Sequence, residues 1–352
     1  MSGIIGHTMY AILAGKAASA RKLAIAPLIH QHSASYLCGA YLGCDIQTLP
    51  EAICVDTAEP VGYGTVPLQK SPLTGGKVRP WTLRCQDREY TPRDIHRAFY
   101  GRAHLVFGWS PSQRIHSVPW DHLADFCAAT LEDTVNLYGP GERQLAYLFG
   151  WMAHIVSDSL IKSITPGVDL VLLDGKYTPS NRPIQDLITY HEIGIKELGL
   201  NWAAILTDLA ETPIEEAQFH YMRVANPQGA LADTFPGAWA PDQQPLLKLV
   251  LEQNRRYQRI RTARLLKKYE LTKTVSGWEC SPQLQHQAGG HSYREMIGLA
   301  RRARFRHALW QIAERVANLF EDVIQRYPAF REQGNREVGS WEQFTEKWRK
   351  PE

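Results

Sequence analysis

The stretch Tyr147-Leu-Phe-Gly-Trp-Met-Ala-His154-Ile-Val-Ser-Asp158 carries the strongest local signal in the chain. Its apolar residues are spaced as on a helix, where positions i and i+4 lie above one another on one face. His154 and Asp158 therefore share a face, which places a nitrogen donor and a carboxylate at the separation that one divalent ion requires. The alternative is a structural histidine that is hydrogen-bonded to the aspartate inside a helical core. Because an unpaired polar pair among apolar side chains is costly to bury, the surroundings of the motif strengthen the case for a metal site.

Apolar residues recur at helical spacing over most of the chain, and alternating strand-like runs are almost absent. This pattern predicts an all-α fold, a multi-helix bundle with long irregular loops. The best strand-like run covers only residues 168–173. We expect helices at about 6–26, 30–42, 92–107, 119–138, 143–164, 184–198, 201–207, 214–225, 245–271 and 292–327.

Two stretches rich in Pro and Gly, residues 60–81 and 166–183, interrupt the helical pattern. Loops this long inside a compact domain are usually functional lids or disordered segments, and we expect the first to be a packed lid over the site. A third Pro/Gly-rich stretch, 227–245, is the best place for a domain boundary. It divides the chain into a metal-binding helical domain, residues 1–228, and a helical C-terminal extension packed on it, residues 229–352.

The composition excludes several classes of protein. With 44% apolar and 21% charged residues among 352, the chain resembles a soluble globular protein rather than a disordered or fibrous one. No run of about 18 apolar residues occurs, so no membrane-spanning helix is expected. A net charge of only +3 gives no indication of a nucleic-acid partner. The six cysteines form no CxxC pair, which favours reduced thiols over a zinc ribbon.

The N-terminal apolar stretch, residues 1–29, superficially resembles a signal peptide. However, His7, Lys16, Arg21 and Lys22 interrupt it, and it lacks the order of a basic segment, an apolar segment and a cleavage site. We therefore expect a structural helix of a cytoplasmic protein.

Two further metal-ligand candidates precede the central motif. His7 lies at the start of the first predicted helix, after Gly3 and Gly6, and Asp45 follows the apolar segment 36–44. Each could instead be structural, since a histidine near a helix start and an aspartate after a helix end are both common.

Taken together, these motifs resemble the zinc-dependent phospholipase C family. An N-terminal histidine leading into a helix, a glycine-containing apolar segment ending in aspartate, and Leu-x-Gly-x-x-x-His-x-x-x-Asp occur here in the family's order. The same order occurs in the related phosphatidylinositol-glycan phospholipase D catalytic domain and, more distantly, in S1/P1-type nucleases. The resemblance spans about residues 1–200. The matching residues are His7, Asp45, His154 and Asp158, with Gly39 and Gly150 at the glycine positions.

The resemblance implies an all-helical domain that binds two or three zinc ions through His and Asp or Glu. A histidine between the Asp45 and His154 motifs could be His104 or His96, and the apolar setting of His104 favours it.

A later pair of histidine and carboxylate could be His191 and Glu192, although position 195 is Ile where the family pattern is HxxxE. Glu197 is an alternative carboxylate for this pair.

Lys162 is the main departure from the family pattern. Family members have a histidine shortly after the HxxxD aspartate, whereas position 162 here is lysine. A protonated lysine cannot ligate a metal. Either one metal is missing or the charge of Lys162 replaces that of a cation. Alternatively, the lysine stem packs on the helix and its head reaches solvent.

From the resemblance we expect a metal-dependent hydrolase that acts on a phosphoester or a similar small anionic substrate. A divalent ion, most simply zinc, would activate a bound water, while Asp45 would orient or deprotonate that water and Lys162 would add positive charge. Iron and manganese use the same donors, so redox or biosynthetic chemistry on the same fold is an alternative. The implied metal ligands are His7, Asp45, His104, His154, Asp158, His191 and Glu192.

Two basic helical segments support a competing hypothesis. Residues 255–268 and 301–307 are dense in Arg and Lys and could receive a phosphate or a nucleic-acid backbone, as in a non-catalytic binding protein. The simpler interpretation is a solvated helix face whose cations pair with acids such as Glu252, Glu295 and Glu314. The sequence indicates no oligomeric state.

Overall fold

The computed structural model describes residues 4–42, 69–70, 77–78, 83–90, 109–110, 115–116, 122–138, 141–161, 181–211 and 265–327. These residues are mostly helical, as predicted, and their strands form short two-stranded antiparallel pairs. Several expectations fall outside the described ranges: the helices 92–107 and 214–225, the strand-like run 168–173, most of both long loops, and the boundary after residue 228.

The helices in chain order are α1 (Ile4–Ala20), α2 (Ala26–Gln31), α3 (Ser33–Leu42), α4 (Leu123–Tyr138), α5 (Glu142–Ile161), α6 (Asn181–Ile188), α7 (Trp202–Glu211), α8 (Pro282–Gln287), α9 (Tyr293–Arg302) and α10 (Phe305–Arg326). A π-helical segment, Thr189–Glu197, continues α6 directly. The strand pairs are β1 (Gln69–Lys70) with β2 (Lys77–Val78), β3 (Leu83–Cys85) with β4 (Arg88–Tyr90), β5 (Trp109–Ser110) with β6 (Ile115–His116), and β7 (Leu271–Thr274) with β8 (Gly277–Cys280). None of the helices in the described ranges combines the length and apolar character needed to cross a membrane.

Helix α1 lies inside the core. It is buried along almost its whole length, from Ile4 and Ile5 at its start to Ala17 and Ala18 near its end. A helix without a polar face must be surrounded by other elements, and α1 packs against α3, α5 and α10. The N-terminal apolar stretch therefore contains an internal helix of the fold, as its sequence predicts.

Helix α10 enters the same core from the C-terminal part of the chain. The Phe320 ring meets Phe149 of α5 at a centroid distance of 5.0 Å and Tyr36 of α3 at 6.4 Å, both edge to face. The helix also contacts α1 and α4. Its buried residues recur three or four positions apart and include Phe305, Leu309, Ile312, Val316 and Val323.

The single helix predicted at 292–327 is two helices, so this prediction was wrong. A capping box between Ser292 and Glu295 starts α9. Arg304, at φ 51°, adopts the left-handed conformation and separates α9 from α10. Apolar spacing continues across the break, which is why periodicity alone merges the two helices.

The helix predicted to reach Leu271 also requires correction, because Leu271 begins β7. Thr272 and Thr274 are β-branched and favour extended backbone, and Thr274 pairs with Gly277 across a two-residue turn. Gly277 has φ 127°, a conformation that suits glycine. Most side chains of the hairpin are exposed or half-buried, so the apolar alternation that would reveal it is missing.

The predicted helix 184–198 exists, but its second half is the π-helical segment. A Cβ at Gly194 would lie 2.6 Å from Nε1 of Trp202, so the glycine makes room for the indole. The indole N–H donates to the Tyr190 carbonyl at 3.0 Å, and the two rings stack at 5.3 Å. The π-helical segment is thus accompanied by packing against Trp202. The local periodicity of the sequence does not predict this contact.

Candidate metal centre

Helices α3 and α5 cross with their backbones in contact. A Cβ added at Gly39 would lie 1.9 Å from the carbonyl oxygen of Tyr147, and one at Gly150 would lie 1.8 Å from that of Tyr36. Each glycine therefore lies against the backbone of the opposite helix, which only a residue without a side chain permits. The two glycines of the family motif are reciprocal partners at one crossing.

This crossing orients the His154 ring. The side chain projects from α5, is 2% exposed, and places Nδ1 2.9 Å from the carbonyl oxygen of Ala40 on α3. Since a carbonyl can only accept a hydrogen bond, Nδ1 carries the proton and Nε2 has the lone pair in the neutral ring. A backbone carbonyl bound to one ring nitrogen is the usual arrangement of a histidine that ligates a metal through the other.

His7 of α1 lies beside His154. The His7 residue is 4% exposed, and the centroids of the two rings are 4.3 Å apart with their planes inclined by 37°. Tyr10, one turn further along α1, meets the His7 ring edge to face at 5.9 Å. The structure thus brings two of the predicted ligands together from distant parts of the chain.

The spacing of these rings suits two imidazoles that share one ion. With metal–nitrogen bonds of about 2.0–2.1 Å and an angle of about 90–110° between them, ring centroids lie about 4.5–5 Å apart. The observed centroid separation of 4.3 Å lies just below this range. Burial agrees with neutral rings, because two imidazolium ions side by side in an apolar core would be costly.

Helix α6 and the start of the π-helical segment share a buried polar face. Asn181 and Gln185 of α6 and Thr189 of the π-helical segment, spaced four residues apart, are all buried, and α6 contacts α1. Within the described structure, Nε2 of Gln185 and Oγ1 of Thr8, the residue after His7, make no hydrogen bond. An unsatisfied buried polar group costs about 1–3 kcal/mol, so these two groups lower the stability of the fold as described. The sequence analysis missed these residues, although their i, i+4, i+8 spacing is visible once polar periodicity is sought.

Asp158 lies one turn beyond His154 on α5, so the two backbone positions share a helix face. Ala40 was not anticipated, because it acts through its backbone carbonyl and has no side-chain signal. The other central candidates lie outside the described residues: Asp45, His104, the alternative His96, and Lys162.

His191 and Glu192 lie on the π-helical segment and bind residues from the C-terminal part of the chain. His191 Nε2 donates to the Tyr269 carbonyl at 2.6 Å. Glu192 Oε1 accepts hydrogen bonds from the Tyr293 hydroxyl and from Lys196 Nζ. Burial raises the pKa of Glu192, but these hydrogen bonds and the neighbouring positive charges lower it more, so the pKa lies below its ordinary value.

The alternative carboxylate, Glu197, is held by Arg306. The Nε and Nη2 atoms of Arg306 donate to the two Glu197 oxygens at 2.7 and 2.6 Å, a bidentate ion pair. In the part of the chain that the structure describes, no three His, Cys, Asp or Glu side chains are grouped to hold a metal ion. Among the described residues, the predicted ligands that the structure brings into ring contact are His7 and His154.

Comparisons with protein-family models, with characterised proteins and with solved structures give no match for this chain. The similarity to the phospholipase C family therefore rests on the motif residues alone.

Proposed function

We propose that the protein is a metal-dependent hydrolase of phosphoesters or similar small anionic substrates, with a fold of the phospholipase C type. The observation that carries the proposal is the buried pair His7 and His154, with the His154 ring oriented by the Ala40 carbonyl. A divalent ion, zinc in the simplest case, would supply Lewis-acid polarisation and activation of water.

The proposed ligands come from different helices. In the proposal, α1 supplies His7, and α5 supplies His154 and Asp158 on one face. Asp45 follows the end of α3, which the crossing of Gly39 with Gly150 holds against the His154 helix. Asp45 is proposed to orient or deprotonate the attacking water.

The remaining residues have narrower roles. His104 is the proposed additional imidazole ligand, and Lys162 would supply positive charge beside an anionic substrate. His191 could ligate a metal only through Nδ1, because its Nε2 donates to the Tyr269 carbonyl. Glu192 would have to exchange its hydrogen bonds from Tyr293 and Lys196 to join the centre.

The basic helices give weaker support to a non-catalytic binding function. Arg306 is already neutralised by Glu197. Glu295 and Glu314, two of the acids expected to pair with the basic segments, bind elsewhere, which leaves this alternative open: Glu295 accepts from Ser292, and Glu314 pairs with Arg21.

Metal analysis tests the proposal directly. Protein expressed with zinc, iron and manganese supplied is expected to contain at least one equivalent of metal by plasma mass spectrometry. His7→Ala and His154→Ala should lose that metal while keeping their helical circular dichroism. The matched control is His122→Ala, since His122 is exposed just before α4, and it should retain the metal.

Activity is tested on bis(p-nitrophenyl) phosphate and p-nitrophenyl phosphorylcholine. Hydrolysis should stop on addition of a chelator and return with the metal found in the protein. A metal-free protein, or equal metal content in His154→Ala, would contradict the proposal. Bound iron or manganese without hydrolysis would favour redox or biosynthetic chemistry at the same centre.

A further inference from the structure

A cleft of about 440 Å³ lies between the π-helical segment and the junction of α9 with α10. Neither His7 nor His154 lines it. Its walls are partly apolar, with Ile188 and Ile193 on one side and Ile297 and Phe305 on the other. This volume is within the usual range for pockets that hold small organic ligands, about 300–1,000 Å³.

Most charges in this cleft are already compensated. Arg306 makes the bidentate pair with Glu197, and Glu192 is paired with Lys196. Two lining guanidinium groups remain, those of Arg301 and Arg304. Neither has an ion-pair partner among the residues that the structure describes. Among the described residues, the cleft therefore offers two positive charges without an ion-pair partner beside an apolar surface.

The start of α10 adds to this positive potential. The first residues of the helix, Phe305, Arg306 and His307, line the cleft, and no side chain caps the helix N-terminus. Backbone N–H groups at such an end favour an anion. The arginines are nevertheless the main attraction for an anion, because a guanidinium binds phosphate oxygens in a bidentate manner.

We propose that this cleft binds a phosphate monoester that carries an apolar group. The charge of such an ester at neutral pH, about −1.5 to −2, matches the two uncompensated guanidinium groups better than a single carboxylate does. Ile297, the half-buried isoleucine of the lining, contacts the organic group, and Arg301 with Arg304 bind the phosphate. This site does not depend on the proposed metal centre.

Calorimetric titration of the full chain with phenyl phosphate tests the site. Chelator-treated and metal-loaded protein are both titrated, so that binding at a metal is separated from binding in the cleft. Phenyl phosphate is expected to bind one per chain in the chelator-treated sample, and any further binding or hydrolysis in the metal-loaded sample is assigned to the metal centre. Inorganic phosphate should bind at least about tenfold more weakly, since it buries no apolar surface. Phenol, which lacks the phosphate, should not bind measurably.

Substitutions of the lining residues test whether phenyl phosphate binds in the cleft. The double variant Arg301→Gln/Arg304→Gln should weaken phenyl phosphate binding by about tenfold or more, as expected for lost charge-assisted hydrogen bonds. The control is Arg302→Gln, because Arg302 is an exposed neighbour that does not line the cleft, and its affinity should be unchanged. Ile297→Ser should weaken phenyl phosphate but not inorganic phosphate.

Three results would overturn the proposal. The first is absence of saturable phenyl phosphate binding, and the second is an equal loss in Arg302→Gln, which would indicate unspecific attraction. The third is binding confined to metal-loaded protein and abolished by His154→Ala, which would assign the phosphate to the metal centre. Each leaves the metal-content test of the proposed function unaffected.

Discussion

Replacing Gly39 by alanine should force α3 away from α5. The added Cβ would meet the Tyr147 carbonyl oxygen at 1.9 Å and the Trp151 nitrogen at 3.0 Å, and real Cβ contacts are essentially never shorter than 3.0 Å. Both atoms belong to the backbone, so no change of rotamer relieves the overlap. The helices must separate, and the hydrogen bond from His154 to Ala40, now 2.9 Å long, must lengthen or break.

The expected loss of stability combines two effects. Overpacking of a close contact costs about 1–3 kcal/mol, and loss of a buried hydrogen bond adds about 1 kcal/mol. We therefore expect Gly39→Ala to lower the free energy of unfolding by about 2–4 kcal/mol. Urea unfolding followed by circular dichroism measures this quantity by linear extrapolation. Metal content, if the centre exists as proposed, should fall in the same variant.

Gly15→Ala is the matched control. A Cβ at Gly15 in α1 would meet Ile29 at 3.4 Å and Tyr36 at 3.7 Å, which are ordinary contacts. Because alanine is favoured over glycine within a helix by up to about 1 kcal/mol, this variant should be neutral or slightly stabilised. Wild-type stability in Gly39→Ala, or an equal loss in Gly15→Ala, would refute the reasoning.

Three further variants test other features. Gln185→Met should raise the free energy of unfolding by about 1 kcal/mol, because it removes a buried amide nitrogen that makes no hydrogen bond to any described residue. It should also lower kcat/KM for a hydrolysed phosphodiester, and a less stable variant would count against a functional interior. Phe320→Ala should cost about 3–5 kcal/mol in urea unfolding, and a cost below about 1 kcal/mol would show that α10 is not part of the common core. Tyr293→Phe should raise the pKa of Glu192, followed by carboxyl NMR, because one hydrogen bond that lowers it is lost. Since the folded pKa of Glu192 lies below the ordinary pKa of a glutamate, the stability that it contributes is present above that ordinary pKa and is lost as pH falls through the folded pKa. The difference between Tyr293→Phe and wild type, about 1 kcal/mol at pH 7, should therefore shrink in acid, and a constant difference would be inconsistent with this linkage.

Helical periodicity predicts those helices whose apolar side chains are regularly spaced in the sequence. The helix that carries His154 and Asp158, expected at 143–164, is α5, and the N-terminal apolar stretch contains α1. The apolar pattern does not predict features that depend on the backbone conformation of one residue. The left-handed Arg304 and the turn before Gly277 both interrupt patterns that look continuous. Both depend on single residues rather than on a repeat.

The candidate centre was predictable to a similar degree. His7 and His154 were selected from their motifs, and the structure places their rings side by side. The Ala40 carbonyl that orients His154 could not be selected, because a backbone acceptor is present at every residue. The buried polar face of α6 was missed for another reason, since a search for apolar periodicity passes over polar residues that recur with the same period.

The interior position of α1 has a consequence for synthesis of the chain. Arg21, just after α1, binds Glu314 of α10, which lies 293 positions later. At about 5–20 residues per second, the ribosome needs about 15–60 s to produce the intervening chain. During that interval α3 and α5 can cover part of α1, but the surface destined for α10 stays exposed. Contacts so distant in sequence also close slowly, so among the described helices α1 keeps part of its apolar surface uncovered until the end of synthesis.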